Sequence, residues 1–346
     1  MSSRALVDSL GRTIDYLRLS ITDRCNLRCL YCMPIEGVSW VPHDKVLRFE
    51  EILMVCRILA GMGISAVKVT GGEPLVRRGA VDLIREIRGI EGLNRVSMTS
   101  NGVLLGEYLE ALVAVGLDAV NISLDTLNDE KFRWLTKSDG LAKVLSAIDK
   151  ALELGFAVKV NCVPMRGFNE DDIAQLSALA KNRNIAVRFI ELMPLGVATA
   201  LQPLPAAEVV SLIEREHGPM VPSAAKLGNG PAAYYTMQGF VGHIGLISAI
   251  SECFCASCNR LRLTASGILK PCLSSDIGLD LAGMVRCGAS SDEIEGAIRE
   301  LVSKKPARHS FGGFDTKLVS AIKTADTTPV HDKKEVCAIN MFRIGG

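Results

Sequence analysis

Asp23-Arg24-Cys25-Asn26-Leu27-Arg28-Cys29-Leu30-Tyr31-Cys32-Met33-Pro34 sets three cysteines in the pattern C-x3-C-x2-C, directly after a β-rich run at Tyr16–Ile21. Three thiolates this close converge on one metal centre only if the loop wraps around it. Iron–sulfur clusters usually take four cysteine ligands. No fourth candidate lies nearby, so a cubane here leaves one iron without a protein ligand. Such an open position is what a catalytic metal needs. The alternative is a zinc site, whose nearest fourth ligand is the lone His43.

Working outward, β-rich runs are predicted at Tyr16–Ile21, Ala66–Thr70, Arg95–Thr99, Ala119–Ser123, Ala157–Asn161 and Ala186–Glu191. Between them Phe49–Ala60, Ala80–Arg88, Glu107–Val115, Leu141–Leu154 and Asp171–Lys181 carry apolar residues three or four apart, the helical period. Gly61, Gly63, Gly116 and Gly155 stand where helices should stop. Alternating strands and helices imply a parallel α/β sheet with right-handed crossovers. Six units are too few for a closed eight-fold barrel; they suit a partial barrel or an open doubly wound sheet. Polar and glycine residues follow the strands, as in Gly71-Gly72-Glu73-Pro74, Ser100-Asn101-Gly102 and Leu124-Asp125. Active sites of parallel α/β folds form at that edge. Beyond Pro194 the chain reads as a loose, proline-rich connection around a helix at Ala206–His217, with a further helix near Asp292–Val302.

Composition narrows the class. Of 346 residues 48% are hydrophobic and 22% charged, the balance of a soluble globular chain. A net charge of +1 argues against a general nucleic-acid or membrane-surface binder, while leaving room for a local basic site for a small anion. The opening MSSRALVDSLGR has no apolar signal region, and no apolar run is long enough to cross a bilayer. The expectation is a cytoplasmic protein with reduced thiols. Eleven cysteines then point to metal ligation or catalysis. Cys56, Cys162, Cys287 and Cys337 stand alone and read as small buried hydrophobes.

A second group, Cys253, Cys255 and Cys258, is followed by Cys272. Cys255 and Cys258 plus the distant Cys272 can ligate a metal, and Cys253 can complete a four-cysteine zinc or closed-cluster site. Arg260 and Arg262 alternate in a short strand next to it, so both forks project to one face and can hold a phosphate.

The first cysteine loop, with an aromatic residue before its third cysteine, resembles the radical S-adenosylmethionine (SAM) superfamily. That resemblance implies a 4Fe-4S cluster on Cys25, Cys29 and Cys32, SAM chelated at its open iron, and Tyr31 beside the adenosyl group. Gly71-Gly72-Glu73-Pro74 looks like the superfamily's GGEP motif, whose backbone receives the SAM amino group; glycine there also lets the backbone approach a ligand.

Over nearly the whole chain the sequence resembles the MoaA-type GTP 3′,8-cyclases of molybdenum cofactor biosynthesis. The matching stretches include Tyr16–Asp23, Thr70–Pro74, Asn121–Asp125, Lys159–Asn161, Glu191–Gly196, Phe254–Arg262, Pro271–Leu273 and the terminal Gly345-Gly346. The resemblance implies a homodimeric partial (β/α)6 TIM-type barrel over residues 1–222, its mouth closed by a C-terminal iron–sulfur region, 223–346. It implies a second 4Fe-4S cluster on Cys255, Cys258 and Cys272, with Cys253 outside the usual pattern. Gly72, Ser123 and Met193 match SAM contacts. Arg18, Lys68, Thr99, Lys159, Arg260, Leu261 and Arg262 match GTP contacts, the first four at or near the barrel mouth, and Gly345-Gly346 matches a tail that reaches the active site. The implied reaction turns GTP into (8S)-3′,8-cyclo-7,8-dihydroguanosine 5′-triphosphate. Implied partners are a flavodoxin or ferredoxin as electron donor and the cyclic pyranopterin monophosphate synthase that takes the product. Two readings compete: a radical SAM peptide-modifying enzyme with an auxiliary cluster, and a non-enzymatic iron–sulfur electron carrier.

Overall fold

A computed structural model describes residues 5–34 and 38–312. In chain order its elements are β1 (Tyr16–Ser20), α1 (Phe49–Gly61), β2 (Ala66–Thr70), α2 (Ala80–Arg88), β3 (Arg95–Ser100), α3 (Leu105–Ala114), β4 (Ala119–Ser123), α4 (Asp129–Thr136), α5 (Leu141–Glu153), β5 (Ala157–Cys162), α6 (Ile173–Ala178) and β6 (Ala186–Ile190). The second half adds α7 (Ala206–His217), β7 (Val221–Ser223), β8 (Ala233–Thr236), β9 (His243–Ile247), β10 (Arg260–Leu263), β11 (Ile268–Lys270), β12 (Leu279–Asp280), α8 (Leu281–Arg286) and α9 (Ser291–Ser303). Gly345, Gly346 and Cys337 lie outside the described residues. No helix among the described residues is long and apolar enough to cross a membrane.

The six predicted strands are all present within one or two residues of their expected ends, and they pair in parallel in the order β1-β2-β3-β4-β5-β6. The sequence reading missed what borders them. β10 pairs in parallel with β1, and β9 in parallel with β6, so the C-terminal region supplies a further parallel strand at each edge. β11 and β12 extend one flank, β8 and β7 the other, making one sheet of twelve strands among the described residues. The expected boundary at residue 222 falls inside β7, within this continuous sheet. The "loose connection" after Pro194 is thus partly ordered as short antiparallel strands, too brief and too rich in Gly and Pro to read as strands. Helices α4 and α8 were also missed, and α6 is shorter than predicted.

Side-chain parity explains the sheet's chemistry. Leu17 and Leu19, Val67 and Val69, Val96 and Met98, Val120 and Ile122, Val158 and Val160, and Val187 and Phe189 are buried in the core under the helices. Their alternates, from Tyr16 and Arg18 through Lys68, Thr99, Asn121 and Lys159 to Arg188, line one cavity. Parallel strands are normally apolar on both faces. Here the strict alternation marks a sheet curved around a polar lumen. Of the isolated cysteines, Cys56 and Cys162 are buried as expected, whereas Cys287 is exposed.

The flanks are tied by charge. Glu51 on α1, 3% exposed, takes Arg286 of α8 at 2.9 Å and Arg48 at 3.0 Å, linking the C-terminal region to the first helix. α9 begins with a capping box between Ser290 and Glu293, which satisfies backbone N–H groups at its start.

Candidate active site

The cysteine loop leaves the C-terminal end of β1 and is held from several sides. Asp23, 1% exposed, accepts from Val41 N at 2.6 Å and so fixes the loop's outer return. Arg28 N and Leu30 N donate to the Thr136 and Leu135 carbonyls at the end of α4. Gly72 N donates to Thr22 O at 2.7 Å and Glu73 N to Arg24 O at 2.8 Å, stacking the post-β2 loop against the cysteine loop. A Cβ on Gly72 would stand 2.3 Å from the Arg24 carbonyl oxygen. Glycine at 72 is therefore demanded by the packing of the two loops, a cause internal to the fold. Glu73, fully buried, accepts from Ser100 Oγ at 2.9 Å and Asn101 N at 2.7 Å, carrying the lacing on to β3; burial raises its carboxyl to about 7.

Within the loop Cys25 Sγ accepts from Leu27 N at 3.4 Å and Asn101 Nδ2 at 3.7 Å. Burial pushes the Cys25 thiol up, and burial together with Cys32, Asp125 and Cys25 pushes Cys29 far up. Cys25 and Cys29, partly buried beside Cys32, resist ionising on their own; a cationic centre among the three reverses that penalty, so this donor set fits a cluster. Among the described residues these thiols do not pack as tightly as ligands of a single ion would, which fits a multi-iron cluster better than zinc. Tyr31 reaches Asp125 at the end of β4, and Asp125 also accepts from Val163 N at 2.7 Å beyond β5.

The second cysteine group stands at the other end of the strands. β10 runs parallel to β1 with Arg260 opposite Tyr16, so Cys255 and Cys258 lie at the N-terminal end, where Arg12 Nη1 donates to Cys255 O at 2.8 Å. β11 is antiparallel to β10, which returns Cys272 to the same end. The C-terminal region thus closes the lumen at its floor and flanks. A five-residue strand such as β1, which spans about 17 Å, stands between the two groups. Cys255, Cys258 and Cys272 line the cavity shared with Cys25, Cys29 and Cys32, and Cys253 does not. Burial alone would raise the Cys258 thiol, but Arg260 and Lys305 bring it down to about 7, toward the thiolate a metal takes. Arg260 also stacks over Phe254, 4.6 Å from the ring centre.

Between the two ends the lumen is strongly cationic. Arg18, Lys68 and Lys159 line it at mid-strand, inside the barrel and not at its mouth as expected, and Arg260 and Arg262 line it beside β1. Thr99 joins them, its buried Oγ1 without a hydrogen-bond partner among the described residues. Ser123 and Met193 line the end near the first cysteines, with Tyr31 and Gly72. Leu261 is the exception: strand parity turns it into the core, fully buried. Sequence reasoning missed Arg95 and Arg188, which extend the same parity along β3 and β6. Arg188 Nη2 donates to Asn161 Oδ1 at 2.6 Å; the Asn121 amide, turned to satisfy its neighbours, places its oxygen 2.9 Å from Arg188 and 2.6 Å from Lys68 Nζ. Among the described residues the lining carboxylates are Asp125 and Glu191, and Glu191 is engaged by Ile250 N and Ser251 N. Burial, Arg188 and Arg95 lower Lys159 to about 7, and burial with four neighbouring cations holds Lys68 well below the usual lysine range. So many cations lining one buried site call for a polyanionic ligand.

Comparison with known proteins agrees with this geometry. Residues 19–180 match the radical SAM superfamily model and residues 185–311 the Molybdenum Cofactor Synthesis C model. GTP 3′,8-cyclase from Pelotomaculum thermopropionicum is 46% identical over 321 residues, covering 91% of this chain and 99% of that protein. The GTP 3′,8-cyclases of Moorella thermoacetica (46% identity, 87% and 94% covered) and Clostridium perfringens (43%, 88% and 94%) are similar to a like degree. Among solved structures, Streptococcus suis SuiB bound to S-adenosylmethionine shares the fold, with a TM-score of 0.59 at 14% identity over 91% of this chain and 76% of that one. With a cysteine loop at one end of a cationic lumen and relatives of this closeness, the chain belongs to the GTP 3′,8-cyclase family, on a radical SAM fold.

Proposed function

We propose that this chain converts GTP to (8S)-3′,8-cyclo-7,8-dihydroguanosine 5′-triphosphate, the first step of molybdenum cofactor biosynthesis, with SAM and two 4Fe-4S clusters as cofactors. The observation that carries the reading is a single cavity with a cysteine trio at each end and a column of cations between them. In this reading Cys25, Cys29 and Cys32 hold the first cluster, and Cys255, Cys258 and Cys272 the second. SAM bound with the first cluster would supply 5′-deoxyadenosyl radical chemistry, removing the ribose 3′ hydrogen so that C3′ can bond to guanine C8, and one electron and one proton would complete the product.

The protein's own residues position the reactants. Tyr31, Gly72, Ser123 and Met193 form the SAM end. Arg18, Lys68, Lys159, Arg260 and Arg262, with Arg188 and Thr99, hold the nucleotide, the arginine forks binding phosphate oxygens two at a time. Loops laced over the cysteines at one end and the C-terminal strands at the other shield the reaction from water. Leu261 supports the neighbouring arginines from the core side. The Gly345-Gly346 tail, a homodimer, a flavodoxin or ferredoxin donor, transfer to cyclic pyranopterin monophosphate synthase and a cytoplasmic location belong to the same reading. The cationic lumen favours it over a peptide-modifying enzyme or an electron carrier.

The test is anaerobic reconstitution with GTP, SAM and dithionite. Formation of 5′-deoxyadenosine together with the 3′,8-cyclised nucleotide is expected. Deoxyadenosine without conversion of GTP would reject the substrate, and absence of both from protein carrying about eight irons per chain would reject the activity.

A further inference from the structure

Cys253 is outside the cavity, yet it is not a bystander. Its Sγ, the Sγ of Cys255 and a ring nitrogen of His309 all lie within 4.8 Å of one another. A single zinc ion holds sulfur at about 2.3 Å and imidazole nitrogen at about 2.0–2.1 Å, so ligand atoms of one ion stand about 4 Å apart. The three groups lie close enough together to reach that spacing around one ion. His309 comes from the segment after α9, more than fifty positions along the chain, and it packs on Phe311 with ring centres 4.6 Å apart. Its buried Nε2 makes no hydrogen bond among the described residues, although the Ala249 backbone stands close by. A two-thiol, one-imidazole set of partly buried side chains has the ligand types that select zinc or a similar soft divalent ion.

We propose that Cys253, Cys255 and His309 form a mononuclear divalent-metal site, separate from the second cluster but sharing Cys255 with it. Binding releases the two thiol protons and leaves a fourth position for solvent. Cys255 cannot serve both centres, since the cluster draws it toward Cys258 and Cys272 at the lumen and the single ion draws it toward Cys253 and His309. Zinc at this site therefore blocks assembly of the second cluster and leaves the first untouched, so that loading of the floor centre answers to the zinc available when the chain matures. The proposal rests on the assignment of Cys255 to the second cluster.

Cobalt(II) is the probe, titrated anaerobically into the full-length apo-protein, with zinc competition giving affinities. One high-affinity equivalent with thiolate-to-cobalt charge-transfer absorption is expected. Cys253→Ser and His309→Ala should each weaken it by about tenfold or more, the loss of a ligand exceeding that of an outer-shell partner. Cys258→Ser should leave it intact. In parallel, zinc-loaded wild type should reconstitute to about four irons per chain, while Cys253→Ser treated alike should reach about eight. Unchanged cobalt binding in Cys253→Ser and His309→Ala, or loss of it in Cys258→Ser, overturns the site. If zinc-free Cys253→Ser reaches only about four irons, Cys253 is itself a cluster ligand and the separate site is refuted. Failure of the cluster assignment shows separately, as full iron content in Cys258→Ser.

Discussion

Tyr31 donates its hydroxyl to Asp125 Oδ2 at 2.8 Å, so the residue between the second and third loop cysteines is fastened to the end of β4. Burial raises Asp125 to about 6, and the bonds from Val163 and Tyr31 counter that rise. Tyr31→Phe should therefore destabilise the fold by about 1–3 kcal/mol, the cost of removing one partner of a buried acceptor. Because the bond favours the ionised carboxylate, the loss should be larger at pH 8 than at pH 5. Urea denaturation of the two proteins at both pH values checks it; an equal loss at both would mean the bond does not depend on charge.

The two cysteine trios should separate by role. Cys29→Ala should abolish reductive cleavage of SAM, since the ligand set of the first cluster is broken. Cys258→Ala should retain some uncoupled cleavage and lose cyclisation of GTP. Product chromatography of 5′-deoxyadenosine and the cyclised nucleotide decides this, and normal cyclisation in the Cys258 variant would remove any substrate role from the second centre.

Lys159 gives the lumen a proton signature. Burial, Arg188 and Arg95 hold it at about 7, so at pH 8 it is mostly neutral in the empty protein. A bound triphosphate favours its charged form, which means that binding takes up protons and weakens as pH rises through 7. Calorimetry at pH 8 in buffers of different ionisation enthalpy should show net proton uptake, reduced in Lys159→Met. Zero uptake in wild type would contradict a phosphate at this lysine.

Glu51 offers a stability test away from the chemistry. The Arg286 bond, working against burial, draws its carboxyl down to about 2. A depressed carboxylate stabilises the fold above its unfolded value and loses that contribution as pH falls from about 4.5 toward 2. Glu51→Gln should cost about 1.5–3 kcal/mol at pH 7, as for a charge-assisted bond, and less as the pH is lowered through that window. Denaturant midpoints of both proteins across the range provide the measurement.

Much of this was legible in the residues, and the reason is parity. The six inner strands carry strong apolar alternation, and their ends carry the glycines and cysteines of the site. Arg95 and Arg188 obey the same alternation as Lys68 and Lys159, so extending the parity along each strand would have found them. Leu261 fails the same rule, being the odd member between two lumen arginines. The flanking strands were hidden because β7, β11 and β12 are only two or three residues long, and no local pattern survives at that length. Nor could spacing tell that Cys255 lies at the opposite end from Cys25, since that depends on β10 running parallel to β1. His309 carries no sequence signal at all; only the folded chain brings it to Cys253.

The order in which the sheet's strands are synthesised differs from their order in space. β1 is made early, and its outer neighbour β10 only after the whole run to β9 has been translated. β6 likewise waits for β9. A nascent chain stopped before residue 243 thus presents two bare strand edges, each a template for pairing with another copy. Those edges flank a half-built, cation-lined trough whose floor thiols have not yet been translated. The late C-terminal region covers both of those edges of the older half. A chain truncated there is expected to be lost to aggregation rather than to survive as a one-cluster enzyme.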